Sequence, residues 1–186
     1  MKKILSFILA GLAFLTSFTV NAEENTMADK KVLVAYFSAT GVTAGVADKL
    51  AKSIDADIFQ INPVQPYTAA DLNWRNDKSR SSVEMADRKS RPAIADKVEN
   101  INEYQVVFVG FPIWWYREPS IIDTFMESYD FSGKTVVPFA TSGSSGMEDS
   151  GKNMQALAPD AEVTEGKRFP ADVSAEELQQ WAKEWL

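Results

Sequence analysis

Apolar and polar positions along this chain alternate between two periods, one typical of buried strands and one typical of amphipathic helices. Four predominantly apolar runs predict strands that are covered on both faces, at residues 31–37, 57–61, 106–111 and 135–141. A fifth strand is predicted near residues 162–169. Helical spacing of apolar residues occurs at residues 41–53, at 119–129, up to about residue 158, and after Ser174. Strands that alternate with helices in this way predict an α/β fold, in which a doubly wound parallel sheet lies between two layers of helices.

The first 22 residues have the composition of a secretory leader. Lys2 and Lys3 precede an apolar stretch from Ile4 to Val20, and small residues up to Ala22 form a cleavage site. An uncleaved membrane anchor is the alternative, but this stretch is shorter than the ~20 residues of a usual membrane span. We therefore predict an exported protein, periplasmic or secreted, that has no stable membrane association after cleavage. Its parts are a signal peptide at residues 1–22, a short linker at 23–30 and one domain at 31–186.

Two residue types that carry much enzyme chemistry are missing from the sequence. It has no histidine and no cysteine, which excludes Ser-His-Asp and Cys-His catalysis, disulfides, and zinc sites with the usual ligands. The formal net charge is −7, and without Lys2 and Lys3 it becomes −9, with 17 basic residues against 26 acidic ones. A surface this acidic opposes binding to nucleic acid and to anionic membranes.

The turn after the first predicted strand carries the strongest binding signal. Ser38-Ala39-Thr40-Gly41-Val42-Thr43 follows the strand directly and opens a helix. The free N–H groups of a first helical turn, together with the positive end of the helix dipole, attract anions. Three hydroxyl side chains surround the glycine, so a phosphate can be held there without Lys or Arg. Ordinary helix capping is the alternative interpretation, but a cap needs one hydroxyl group and not three.

Two further loops are expected at the same edge of the sheet, because the carboxyl ends of parallel strands point one way. Three successive aromatic residues follow the third strand, in Pro112-Ile113-Trp114-Trp115-Tyr116. Flexible backbone that can approach a ligand closely follows the fourth strand, in Thr141-Ser142-Gly143-Ser144-Ser145-Gly146. We expect one tryptophan to pack in the core and the other to stack on the ligand, without assigning which. A phosphate site beside an aromatic wall predicts a phosphorylated planar ring as the ligand.

These loops resemble those of the flavodoxin family. Ser38 to Thr43 is similar to the phosphate-binding signature (S/T)-x-T-G-x-T, and the loop from Gly110 to Trp115 is similar to the G-Y-P-I-W-W loop of a flavodoxin-like subgroup. The resemblance implies a flavodoxin-like three-layer sandwich with a five-stranded parallel sheet of order 2-1-3-4-5 and non-covalently bound FMN. It also implies that FMN is bound by Ser38, Ala39, Thr40, Gly41, Val42, Thr43, Pro112, Ile113, Trp114, Trp115, Thr141, Ser142, Gly143 and Ser144.

The long connection between the second and third strands, residues 62–104, departs from the regular alternation. Ser81-Ser82-Val83-Glu84 predicts a helix start, and from Arg75 to Arg91 six basic residues face three acidic ones. A solvated crossover helix is the simpler interpretation, and a lid or docking surface near the ligand is the other. The third loop lacks the aromatic residue that often covers the outer flavin face in the family, so Tyr67 or Trp74 is a candidate for that role.

The favoured function is that of an exported electron-transfer protein that binds FMN and exchanges electrons with a redox partner protein or a small-molecule electron acceptor. An FMN-dependent NAD(P)H:quinone-type oxidoreductase on the same fold is the alternative, and a phospholigand-binding module without redox chemistry is a third. Because the leader has no twin arginine, we expect export of the unfolded chain and FMN binding afterwards.

A near match to a Walker A loop at residues 146–153 is set aside, since Asn153 occupies the position of the Mg²⁺-binding hydroxyl. No metal site is predicted.

Overall fold

Residues 30–186 are described by the structure, a computed structural model, and the predicted leader with its cleavage site lies outside them. All strand pairs in the sheet are parallel, and their spatial order is β2-β1-β3-β4-β5, with β6 also paired to β4. The predicted fold class and strand order are therefore confirmed. The strands are β1 (Val32–Tyr36), β2 (Asp57–Gln60), β3 (Val106–Pro112), β4 (Thr135–Thr141), β5 (Glu162–Val163) and β6 (Lys167–Phe169).

The described part of the chain contains five α-helices. They are α1 (Val42–Ser53), α2 (Arg80–Ala86), α3 (Ser120–Glu127), α4 (Ser150–Leu157) and α5 (Ala175–Ala182). Four of them, all except α2, pack on the two faces of the sheet. One core cluster joins α1 and α5 to the sheet, and a second joins α3 and α4 to the opposite face. The last helix begins as predicted, since the Ser174 hydroxyl accepts a hydrogen bond from the Glu177 N–H at 3.1 Å. The molecule thus has the three layers expected from the sequence.

The central strand shows why continuous apolar runs were needed. Val106 and Phe108 of β3 pack into the α1 and α5 cluster, whereas Val107, Val109 and Phe111 pack into the α3 and α4 cluster. Successive side chains of a strand point to opposite faces, so a strand between two helical layers must be apolar at every position. The carboxyl ends of β1, β3 and β4 then deliver their loops to one edge of the sheet.

The predicted fifth strand is wrong in one respect, because it is divided into two short strands. Gly166 lies between β5 and β6 with φ +78°, and a Cβ atom at this position would stand 2.4 Å from the Pro138 carbonyl oxygen. The Thr135 N–H donates to the Gln105 carbonyl, toward β3, so the nitrogen of Pro138, three positions later, faces the other neighbour. Proline has no N–H to donate. The break between β5 and β6 therefore lies beside Pro138 of β4, which has no N–H to donate to a neighbouring strand.

The crossover between β2 and β3 is more ordered than its sequence indicates. Residues 62–64 pair with 93–95 through an antiparallel bridge between Pro63 and Ile94, and a 3₁₀ helix at Ile101–Glu103 precedes β3. The predicted helix start at Ser81 is wrong by two residues, since Ser79 is the N-cap and its hydroxyl accepts from the Ser82 N–H at 3.3 Å. No helix within residues 30–186 is long and apolar enough to span a membrane.

Candidate functional site

The turn between β1 and α1 leaves several amide groups free for a ligand. Gly41 is the N-cap of α1 with φ +87°, and its own N–H donates to the Ser38 hydroxyl at 3.1 Å. The N–H groups of Thr40, Val42 and Thr43 have no hydrogen-bond partner among residues 30–186. Free amides at the positive end of a helix dipole are a general anion site. The predicted phosphate cradle therefore has the required donors.

The side chains of Thr43 and Thr141, two of the residues predicted to bind FMN, are paired with each other. Both side chains are buried, and their hydroxyl oxygens lie 2.8 Å apart in a mutual hydrogen bond. The bond joins the first turn of α1 to the end of β4. These two hydroxyls therefore connect two of the three loops, and neither residue lines the cavity described below.

The loop after β3 is a tight two-residue turn. The Trp114 N–H donates to the Arg117 carbonyl at 2.9 Å, and the Arg117 N–H donates back to the Trp114 carbonyl at 3.1 Å. Trp115 and Tyr116 at the tip have φ values of 44° and 65°. Such left-handed conformations are uncommon for bulky L residues. The turn directs two exposed aromatic side chains outward, with 43% of Trp115 and 71% of Tyr116 accessible.

The two tryptophans of this loop have different surroundings. Trp114 is partly buried and makes edge contacts with two rings. The centre of its ring lies 5.5 Å from that of Phe37 and 5.2 Å from that of Tyr67. Trp115 has no aromatic neighbour among the described residues. The expectation that one of the pair packs against the core is confirmed for Trp114. The stacking role expected of the other stays a prediction, now for Trp115.

A group of buried charged side chains follows the turn. Arg117 Nη1 donates to the Glu118 carbonyl at 2.9 Å and lies 3.3 Å from Asp123 Oδ2, and Arg117, Glu118 and Asp123 are all buried. Asn153 of α4 donates to both carboxylate oxygens of Glu118 at 3.2 Å. Burial first, and then the charge of Glu118, raise the pKa of Asp123 to about 7. The aromatic turn is thus anchored in an ionic cluster inside the protein.

The loop after β4 closes on itself. The Ser142 hydroxyl donates to the Ser145 carbonyl, and Arg168 of β6 donates to the Ser142 carbonyl at 3.3 Å. Ser145 lines the cavity, whereas Ser142, Gly143 and Ser144 do not. Ser145 lies just beyond the predicted range, and its position in the same Ser/Gly-rich run was the available signal.

A cavity of about 410 Å³ joins the three loops. Six residues predicted to bind FMN line it, namely Ala39, Thr40, Pro112, Ile113, Trp114 and Trp115. Ser38, Gly41 and Val42 form the adjoining turn without lining the cavity. The lining contains no Asp, Glu, Lys or Arg side chain, so it supplies neither a carboxylate base nor a fixed charge. Its surface is aromatic and aliphatic with a few hydroxyl groups.

The crossover contributes residues that the sequence did not identify, apart from Trp74. Leu72, Trp74 and Ser81 line the cavity, and Trp74 is 65% exposed with the Arg75 guanidinium 4.7 Å from its ring centre. Tyr67 instead packs against Trp114, and its hydroxyl donates to Glu84. Burial first, and then this hydrogen bond, raise the pKa of Tyr67. Of the two candidates for the aromatic cover, Trp74 is therefore the one with access to the cavity.

The basic segment of the crossover is partly neutralised. Arg80 pairs with Glu84 at 2.7 Å, Arg91 pairs with Glu127 at 2.7 Å, and Arg88 lies 3.6 Å from Glu118. The Arg80 pair lies within α2, whereas the Arg91 pair connects the crossover to α3 and the Arg88 contact connects it to the residue that follows the aromatic turn. Half of the six basic residues therefore have a structural role, and the lid or docking interpretation stays a prediction for the rest.

Comparisons with known proteins agree with this geometry. The flavodoxin family profile matches residues 31–185. A candidate flavoprotein from Bacteroides eggerthii is 49% identical and has a TM-score of 0.80, and the match covers 84% of this chain and 98% of that one. One from Bacteroides uniformis is also 49% identical, with a TM-score of 0.78 and coverage of 83% and 98%. A Lactobacillus acidophilus flavoprotein in complex with FMN is 21% identical, with a TM-score of 0.60 and coverage of 82% and 99%. Among curated proteins no match is found.

Proposed function

The chain belongs to the flavodoxin family, and from that premise we propose that it is an exported electron-transfer flavoprotein. FMN is the cofactor, as the family implies. The observation that carries the proposal is the single cavity of about 410 Å³ shared by the phosphate cradle and the aromatic turn. When bound, FMN supplies a ring that accepts and donates electrons. The chain supplies binding, orientation and exclusion of water.

The donors of the cradle fit a phosphate ester. The amides of Thr40, Val42 and Thr43 are unpaired within the described chain, and Thr40 lines the cavity. Gly41 adopts a left-handed conformation that a larger residue would strain. The donors are neutral, so the cradle carries no positive side chain to offset the net charge of −9 that remains after loss of the leader. Short, directional hydrogen bonds from backbone N–H groups can nevertheless bind an anionic phosphate.

The aromatic side chains fit a planar ring. Trp115 and Trp74 are exposed, line the cavity, and are free to lie against a ligand. Trp114 is held by Phe37 and Tyr67 and offers a fixed surface. We propose Trp115 as the stacking residue and Trp74 as the outer cover.

The lining favours an electron carrier over an oxidoreductase that binds a second substrate. A carrier needs no proton donor or acceptor of its own, and the cavity lining contains no carboxylate, lysine or arginine. The alternative, an NAD(P)H:quinone-type oxidoreductase, is favoured by the extension of the cavity to Leu72 and Ser81 of the crossover. Steady-state NAD(P)H oxidation by the FMN-loaded protein, with quinones as acceptors, separates the two. Turnover at typical enzyme rates, about 1–1000 s⁻¹, would establish the oxidoreductase.

Cofactor binding is tested by titrating the purified chain with FMN and, in parallel, with riboflavin, which has the ring but no phosphate. We expect FMN to bind at least about 100-fold more tightly, a difference of ~3 kcal/mol, because only FMN uses the cradle. Shifted and sharpened flavin absorption bands report ring binding. Equal affinities would show that the turn after β1 is not the phosphate site.

The charge of the protein leads to a second measurable expectation. Reduction of the flavin adds negative charge, and a protein with a net charge of −9 opposes it. We therefore expect a reduction potential below that of free FMN. A redox titration that places the potential well above the free value would contradict this expectation.

Export is proposed from the leader pattern alone. Expression of the full chain in a Gram-negative host, followed by fractionation and intact-mass analysis, should recover a periplasmic product that begins at Glu23. We further propose that the partner is a redox protein or a small electron acceptor outside the cytoplasm. Recovery of the uncleaved chain in the cytoplasm would contradict both statements.

A further inference from the structure

The tip of the aromatic turn has a backbone conformation that it would not adopt alone. Trp115 and Tyr116 are both in the left-handed region, and both side chains are exposed, so packing of the tip does not explain the conformation. Strained backbone persists only where the surrounding structure imposes it. The cause must therefore lie at the base of the turn.

The base of the turn is held by Arg117. Its main chain closes the turn through two hydrogen bonds with Trp114, at 2.9 and 3.1 Å. Its buried guanidinium donates to the Glu118 carbonyl at 2.9 Å and to the Ser120 hydroxyl at 3.0 Å. It also lies 3.3 Å from Asp123 Oδ2, so it has partners in the turn and in α3.

We propose that Arg117, Glu118 and Asp123 form an ionic clamp that holds the Trp115–Tyr116 turn in its left-handed conformation and thereby sets the aromatic wall of the FMN site. These are positioning residues, since none of them lines the cavity. The consequence for FMN rests on the proposed function, whereas the effect on the turn does not.

The surroundings of the clamp explain why a buried ion group is retained there. Two carboxylates face Arg117, and a buried guanidinium without such partners would be strongly destabilising. Glu118 is completely buried, accepts two hydrogen bonds from Asn153, and lies 3.6 Å from Arg88. Asp123 faces Arg91 at 3.6 Å. The clamp therefore connects the turn to α3, to α4 and to the crossover.

The test is ¹⁹F NMR of the FMN-free chain labelled with 5-fluorotryptophan, at pH 8. The five tryptophans give five signals, and Trp115→Phe assigns the one of interest. We expect Arg117→Lys and Asp123→Asn to shift or broaden the Trp115 signal and to leave those of Trp181 and Trp185 unchanged. These two tryptophans pack in the cluster on the opposite face of the sheet.

The same variants are then titrated with FMN. We expect the dissociation constant to rise by about tenfold or more in Arg117→Lys and Asp123→Asn, because the wall is no longer pre-organised. Asp48→Asn is the matched control, since it removes the same charge from an exposed pair with Lys52 and should change neither readout. If Arg117→Lys does not fold, Asp123→Asn decides the question.

Two outcomes would overturn the clamp. One is a Trp115 signal that keeps its wild-type position and width in folded variants. The other is an equal change in Asp48→Asn, which would show a general effect of charge. If the wild-type chain does not bind FMN, the proposed function fails, but the Trp115 signal still tests the clamp.

Discussion

The turns after β1 and β3 meet at one cavity but are built by opposite means. The first uses a glycine with φ +87° and neutral amide donors, and every part of it lies within six consecutive residues. The second carries two non-glycine residues with positive φ above a buried ionic cluster drawn from three elements. A local turn can bind an anion through its backbone alone. An aromatic wall needs long-range support, because the exposed side chains of Trp115 and Tyr116 do not fix the backbone that presents them, and buried groups from other elements must do so.

The largest expected effect separates the two tryptophans of the second turn. Trp114→Ala removes a ring that packs against those of Phe37 and Tyr67, and we expect a loss of about 3 kcal/mol in the free energy of unfolding. Trp115→Ala should change this free energy by less than about 0.5 kcal/mol, since the side chain is exposed. It should instead weaken FMN binding by up to about tenfold. Urea denaturation and FMN titration measure both. A loss of stability in Trp115→Ala, with weaker FMN binding but unchanged stability in Trp114→Ala, would contradict the roles assigned to the two tryptophans.

The link between α1 and β4 gives the next largest effect. Thr43→Val leaves the buried Thr141 hydroxyl without its partner, which should cost about 1–3 kcal/mol. Thr141→Val should cost a similar amount. The double variant should recover much of the loss, because no unpaired hydroxyl remains. Urea denaturation of all four chains gives the coupling. Additive losses would show that the two hydroxyls do not stabilise each other.

The difference between the turns also explains what could be predicted from sequence. Four strands, the turn that opens α1 and the cap at Ser174 depend on local periodicity and local hydrogen bonds, and the structure agrees with those predictions, whereas phosphate binding by the turn stays a prediction. The division of the fifth strand depends on contact between Gly166 and Pro138, which are distant in sequence. The contribution of Leu72 and Ser81 to the cavity depends in the same way on how the crossover packs. Burial of Arg117 with Asp123 follows from packing of α3, so no local pattern indicates it.

The ionic cluster under the second turn should make stability depend on pH. The pKa of Asp123 is about 7 in the folded protein, above its usual value of 3.8, because burial and then Glu118 disfavour the ionised form. The folded state therefore binds the proton more tightly, and the free energy of unfolding falls as pH rises from about 4 to 7. Asp123→Asn lacks this titration. The Tm of the variant minus the Tm of wild type should therefore increase by a few degrees between about pH 5 and pH 8, since a chain of this size gains roughly 2–4 °C in Tm per kcal/mol. Circular dichroism melts measure the difference, and a constant difference would contradict the raised pKa.

The smallest effects test whether the first turn is shaped by its glycine. Gly41→Ala and Gly45→Ala add the same methyl group four residues apart, and neither new Cβ has an atom within 4 Å. At Gly41, φ is +87°, so the methyl group should cost about 1 kcal/mol and weaken FMN binding by displacing the free amides. At Gly45, inside α1, it should instead stabilise the protein by about 0.5–1 kcal/mol, because alanine favours a helix over glycine. Opposite signs in urea denaturation would show that backbone conformation, and not the space around the glycine, determines the cradle. If both variants changed the free energy of unfolding in the same direction, the turn after β1 would relax when a side chain is added. The two turns would then differ only in the contacts that hold them, which are local in the first and long-range in the second.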